Sequence, residues 1–337
     1  MLYFSYASTL LISLAGVFFW QAAGGPLPWL LGPLLAVMAG KLLRAELHSI
    51  RHSRELGQAI VGVALGLTFS PQALQRTLQL APWIVLAVAF ALGLAWLSMR
   101  LMRRLLPTLD PLTAWLVALP GGASEMTAIG ARRGAKSEWI VLGQSLRVLL
   151  VVLLFPGAFA LFGHVAGTGG KLPLLAGTAL PWLLPAALAG WLLARRQWPN
   201  PWFIGPLTVS LLLASSGILA GRLPPGWVEL AQLLIGIALG ARVNRDELLA
   251  APAFMRAFLL SLLLLLLLAV AGAVLLAWGS GLHPAQTILA LAPGGITEMC
   301  LTAKAMGLDV PTIIAFQLCR LVGVLLLAEP LARRLCR

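Results

Sequence analysis

The stretch Pro120-Gly121-Gly122-Ala123-Ser124-Glu125-Met126 lies inside an apolar run, and 173 residues later it returns as Pro293-Gly294-Gly295-Ile296-Thr297-Glu298-Met299 inside another. Proline removes a backbone donor and paired glycines weaken helix continuity, so a helix is expected to break at Pro120 and again at Pro293. Backbone groups freed at membrane depth are tolerable only inside protein or against a water-filled cavity. Two breaks at matched positions therefore point to a site; a kink that serves packing is the plainer alternative. The half-helix starting near Ser124 or Thr297 would aim unpaired N–H groups at whatever occupies the site, and an anion is the natural guest.

Other windows fall into the same register, at offsets of 173 or 174. Pro28-Trp29-x-x-Gly32-Pro33-Leu34 matches Pro201-Trp202-x-x-Gly205-Pro206-Leu207, and Gln58 with Gly62-x-Ala64-Leu65-Gly66 matches Gln232 with Gly236-x-Ala238-Leu239-Gly240. Gln144-x-x-Arg147 matches Gln317-x-x-Arg320. The chain reads as an internal duplication, with repeats at 1–173 and 174–337. Each half contains six apolar elements, in the first at about 4–20, 27–43, 57–72, 81–99, 112–130 and 139–162.

Composition names the solvent. Of 337 residues 60% are hydrophobic and 10% charged, and the mean hydropathy is +0.94, which excludes an ordinary water-soluble globule. Runs such as 81–99, 174–193 and 258–278 approach the roughly 20 residues a helix needs to cross a hydrocarbon core. None alternates as a barrel strand would. The first apolar run follows no Lys or Arg and has a counterpart near 177–193, so it reads as a helix of the mature protein rather than a cleaved signal. Cys300, Cys319 and Cys336 show no CxxC spacing and, being odd in number, give no disulfide framework.

The net charge of +13 is carried by residues scattered between apolar segments, the pattern of membrane loops rather than of a nucleic-acid footprint. If all twelve elements cross, these charges show almost no sidedness. If the two Pro-Gly-Gly elements leave by the side they entered, 18 Lys/Arg fall inside and four (Arg76, Lys171, Arg222, Lys304) outside, with Arg147 and Arg320 buried. The positive-inside rule prefers the second arrangement. It predicts an all-α integral membrane protein of about ten transmembrane helices plus two re-entrant or broken helices. Five crossings per half invert the second repeat, a recurrent design of secondary transporters.

The candidate binding residues follow. Glu125 and Glu298 are carboxylates in apolar surroundings, where desolvation favours the protonated form. Beside the hydroxyls of Ser124 and Thr297 they could bind a proton or a sodium ion, or they could simply cap their helices. Arg147 and Arg320, each with a glutamine one turn earlier (Gln144, Gln317), should face the bundle; their guanidinium forks suit a carboxylate of a solute or of the protein. Gly121, Gly122, Gly294 and Gly295 complete the candidate site. Gln58, Gln232 and the glycines after them read as helix packing, and the Pro-Trp segments as helix starts and interface anchors.

The four histidines, His48, His52, His164 and His283, form no metal-ligand spacing. Neither a phosphate-binding loop nor a dinucleotide fingerprint occurs. No metal, cofactor or catalytic residue is expected, and an enzyme is not. His48 and His52, with Arg51 and Arg54, read as a basic loop or short amphipathic helix.

On residues 119–126, 292–299 and 317–320 the chain resembles the duplicated AbrB-type membrane protein family along essentially its whole length. Members carry labels such as regulator of gene expression or ammonia monooxygenase, and the resemblance implies a fold rather than an assigned substrate. The combined expectation is a multi-pass protein of a bacterial inner membrane with both termini cytoplasmic. Its partners would be the lipid bilayer and a small solute; nucleic acid is not bound directly, and oligomerisation is left open. The expected activity is secondary transport of a small anionic or amphoteric organic solute coupled to H+ or Na+. The alternative is a non-cycling sensor that acts indirectly in regulation.

Overall fold

The computed structural model describes residues 2–161, 183–219 and 221–335. Lys171, His164, Cys336 and the start of the apolar run at 174–193 lie outside them. The described residues form sixteen helices: α1 (Leu2–Ala22), α2 (Pro28–Leu42), α3 (Ser53–Gly66), α4 (Pro71–Gln79), α5 (Ala81–Leu105), α6 (Pro111–Ala118), α7 (Ala123–Ala131), α8 (Ser137–Leu161), α9 (Leu183–Arg195), α10 (Pro201–Ser215), α11 (Trp227–Gly240), α12 (Arg245–Ala250), α13 (Pro252–Ser280), α14 (Pro284–Leu291), α15 (Ile296–Ala305) and α16 (Val310–Leu335). Four of them (α5, α8, α13 and α16) are long and apolar enough to cross a bilayer. Five apolar helices are shorter than the expected span. Their ends are fixed locally: α2 and α10 begin with a proline after a left-handed residue, Leu27 or Asn200, and α11 begins after the left-handed Gly226.

Contacts divide the chain into two compact units. One comprises Met1–Arg76, Val152–Arg245 and Cys300–Pro311; the other comprises Thr77–Val151, Asp246–Met299 and Thr312–Arg337. Each unit draws on both halves of the sequence.

In the first unit α3 packs on α10, α11 on α2 and α1 on α2. Glycines let these backbones meet. A Cβ on Gly62 would stand 2.6 Å from the Phe203 carbonyl oxygen, and one on Gly240 2.6 Å from that of Leu34, so the small-residue stretches do serve close helix packing. Gly16 and Gly32 bring α1 and α2 together in the same way. A buried cluster of Val17, Val37, Leu47, Leu233 and Ile237 fills the space beside them. His52, in the left-handed region, lies 3.3 Å from Glu55, so His48, Arg51 and His52 sit on a loop and only Arg54 is helical.

In the second unit α13 packs along α5 and against α14, while α5 also holds α6. Ile84, Ala87, Ala273, Leu276, Ala290, Leu291 and Phe316 form its main apolar cluster. Helix α5 continues past the expected end at residue 99 to Leu105; its last turns carry Arg100, Arg103 and Arg104, long side chains that can keep their charge at the bilayer boundary. Arg100 lies 4.5 Å over the Trp96 ring. The short helices α4 and α12 were not expected, because neither is an apolar run.

Candidate functional site

The apolar element 112–130 breaks where the Pro-Gly-Gly sequence puts the break. Asp110 caps α6 by accepting from the Thr113 amide at 2.7 Å, and Pro111 sits in the first turn, where its missing donor costs little. Helix α6 ends at Ala118, Leu119 turns to extended backbone, and α7 starts after the N-cap Gly122.

The chain doubles back at this break. The Lys136 amide donates to Thr113 Oγ1 at 2.9 Å, and a Cβ on Gly130 would lie 3.3 Å from the Leu116 side chain. A straight helix would separate residues 113 and 131 by roughly 27 Å, and five further residues could span only about 17 Å of the return. The two short helices are therefore a hairpin, with Pro120 and Gly121 at its tip. Trp115, fully buried, donates to the Ala328 carbonyl at 3.0 Å, and Arg133 pairs with Glu329 at 2.6 Å, so α16 holds the hairpin at two points.

Ending a helix inside the protein leaves carbonyl oxygens without amide partners. Helix α8 supplies them. The Gln144 side-chain amide donates to Leu116 and Leu119 oxygens at 2.7 and 2.9 Å. Arg147 Nη1 donates to Val117 and Leu119 oxygens at 3.2 and 2.8 Å, and Nη2 to Gly121 O at 3.4 Å and Gln144 Oε1 at 2.5 Å. A cation at a helix C-terminus also meets the negative end of the dipole. Gly143, whose Cβ would stand 2.7 Å from Val117, allows α8 this approach.

The second break repeats the arrangement with the corresponding glutamine and arginine. Gln317 donates to Leu289 and Ala292 oxygens at 2.6 and 3.3 Å. Arg320 Nη1 donates to Leu291 and Ala292 oxygens at 3.3 and 2.5 Å, and Nη2 to Gly294 O at 3.4 Å and Gln317 Oε1 at 2.5 Å. His283 takes the capping role at the start of α14, accepting from the Ala285 amide at 3.2 Å. The fork of donors foreseen for a carboxylate is thus engaged by backbone carbonyls, and Gln144 and Arg147 partner carbonyls and each other rather than Glu125.

Both glutamates fold back towards the start of their own half-helix. A Cβ on Gly122 would collide with Glu125 Oε2, and one on Gly295 with Glu298 Oε2. With the carboxylates in these positions, only a hydrogen fits at the second glycine of each pair. The first glycine of each pair is covered by a methionine, Met126 over Gly121 and Met299 over Gly294. The surroundings of the two carboxylates differ. Ser124 is exposed and donates to the half-buried Glu125 at 3.2 Å, whereas Thr297 and Glu298 are 3% and 1% exposed.

The tips converge. Pro120 and Pro293 line one narrow cavity, with walls from α5, α13, α14 and α16. Arg320 is the one charged side chain in its lining. Of the predicted residues, Pro120, Pro293 and Arg320 line this cavity; the other candidates do not, and lie at the two breaks, on α7 and α15 and on α8 and α16. Its apolar lining residues carry no signal in a chain that is apolar almost throughout.

Long apolar helices, a doubled-back helical hairpin and buried charged side chains at two helix breaks define a polytopic α-helical membrane protein. The chain belongs to the AbrB family: residues 29–336 match the family described as Transition state regulatory protein AbrB. It is similar to Uncharacterized protein YhjN of Bacillus subtilis (strain 168), with 26% identity across 96% of this chain and 91% of the relative. It is also similar to a protein of Escherichia coli (strain K12) named "Putative regulator AbrB", with 28% identity across 91% of this chain and 90% of the relative.

Proposed function

We propose that this protein is a secondary transporter that moves a small anionic or amphoteric organic solute across a bacterial inner membrane, coupled to H+ or Na+, without chemical change to the solute. The observation that carries this reading is the convergence of two matched helix breaks on one cavity, each with a carboxylate at the half-helix start and an arginine at the carbonyl end. Buried ionisable groups and broken helices are costly in a membrane, and solute pathways are where they repeatedly occur.

The same reading takes 1–173 and 174–337 as inverted repeats, the Pro-Gly-Gly elements as re-entrant from opposite sides, and both termini as cytoplasmic. Two groupings support it. Arg133, Glu329 and Arg333 form one charged cluster, as expected of groups on the inner side. Lys304 lies within electrostatic reach of Arg222 and Glu229, and the charge tally puts both Arg222 and Lys304 outside.

The test is reconstitution in liposomes on solid-supported membranes, with amino acids, carboxylates and amines applied under pH and sodium gradients. A solute-dependent current that disappears in Glu125→Gln and Glu298→Gln is the expected result. A second reading, a non-cycling sensor acting indirectly in regulation, is favoured by the regulator name of the E. coli relative. Saturable solute binding with no flux in folded protein would select it.

A further inference from the structure

We infer that one end of the second unit binds anionic phospholipid headgroups through Arg100, Arg103, Arg104 and Arg256. These four are the only charged residues of α5 and α13. The two helices run antiparallel: Trp83 faces Gly279, Phe90 faces Gly272, and Leu94 packs with Leu265. Nine residues past Leu94 stands Arg103, and nine before Leu265 stands Arg256, so the arginines of both helices share one level.

That level fits a bilayer boundary. Arg256 and the exposed Trp278 are 22 residues apart on α13, and Trp83 and Arg104 are 21 apart on α5. These separations amount to about 33 and 32 Å of helix, against a hydrocarbon core about 30 Å thick. With those tryptophans at one interface, the arginines reach the headgroups of the other. Trp139, edge-on to Phe254 at 4.3 Å, and Trp96 beneath Arg100 place aromatic rings at the arginine end too.

The charge of the four arginines is open to a ligand. All four are exposed, and among the described residues none forms an ion pair. The nearest acids along the chain are engaged elsewhere: Asp110 caps α6, and Asp246 and Glu247 have interactions of their own. Arg133 and Arg333 of the same unit, by contrast, are paired with Glu329. A guanidinium fork matches two phosphate oxygens at once. Below Arg100 the exposed face of α5 continues through Leu97, and below Arg256 that of α13 continues through Leu260, Leu263 and Leu267. A basic end above an apolar shaft suits a phospholipid, whose chains cover the leucines; a soluble phosphate gains nothing from them. Phosphatidylglycerol brings a net negative charge to the arginines, whereas a choline headgroup offsets its own phosphate.

Native mass spectrometry of the purified full-length protein in detergent, titrated with dioleoyl-phosphatidylglycerol or dioleoyl-phosphatidylcholine, tests this. The protein should hold phosphatidylglycerol at least about tenfold more tightly. Arg104→Gln combined with Arg256→Gln should remove most of that preference and leave the melting temperature in lipid-free detergent unchanged. Arg195→Gln combined with Arg196→Gln removes the same charge from the first unit and should alter the preference by less than about twofold.

Equal affinity of the unaltered protein for the two lipids would overturn the proposal with no variant needed. An equal loss from both pairs of substitutions would do so as well, by assigning the preference to net charge. Displacement of phosphatidylglycerol by millimolar glycerol 1-phosphate would also overturn it, since the surface would then take a soluble phosphate.

Discussion

Arg147 Nη1 stands 2.8 Å from the carbonyl oxygen of Leu119, 28 residues earlier in the chain. Through this bond one helix supplies the C-terminal cap of another, broken helix. With Gln144 it meets carbonyls at the end of α6 that the break leaves without the amides of a continued helix.

Removing this cap should cost folding stability. Arg147→Gln leaves several buried carbonyls underserved, so a loss of about 2–3 kcal/mol is expected in thermal or denaturant unfolding in detergent. Arg147→Lys should recover only part of it, because a point charge cannot span carbonyls as a fork does. Gln144→Ala combined with Arg147→Gln should cost less than the two single losses together, since both serve the same carbonyls.

The glycine before each half-helix gives a cleaner separation of function from stability. Gly122→Ala and Gly295→Ala place a methyl group where the Glu125 or Glu298 carboxylate now lies, so solute-dependent current should fall sharply while the protein still folds. Gly93→Ala, on α5 with open space around its would-be Cβ, should change stability by less than about 1 kcal/mol and leave the current intact. Normal current in both tip variants would show that the carboxylate position is immaterial.

Close packing in the first unit predicts a different failure. Gly62→Leu forces α3 away from the α10 backbone and should destabilise by about 1–3 kcal/mol or more. The readout is the melting temperature in detergent, and an unchanged midpoint would mean that α3 and α10 can separate freely.

Topology can be tested with thiols. In a protein whose own cysteines are replaced, Arg132→Cys should react with an impermeant maleimide only from the cytoplasmic side and Lys304→Cys only from the outside. Labelling of both from one side would overturn the inverted arrangement proposed above.

Much of this was legible from residues 120–126 and 293–299, because proline and paired glycine act on the backbone they belong to. The inward face of Gln144 and Arg147 was legible as well, from helical spacing. Their partners were not: which carbonyls lie in reach depends on how the chain folds back at Pro120, a tertiary fact. The burial of Thr297 against the exposure of Ser124 was equally hidden, since two nearly identical segments are distinguished only by what surrounds them. Helices α4 and α12 escaped because short polar helices have no apolar run to announce them.

The first hairpin is fastened at both ends, by Gln144 and Arg147 at its tip and by Thr113 and Lys136 at its base. Mechanically it is a strut rather than a flap. Force applied to α8 would be transmitted to Pro120 with little slack, so any gating at the cavity would have to travel as a rigid displacement of hairpin and helix together, with compliance confined to segments outside that pair of fastenings.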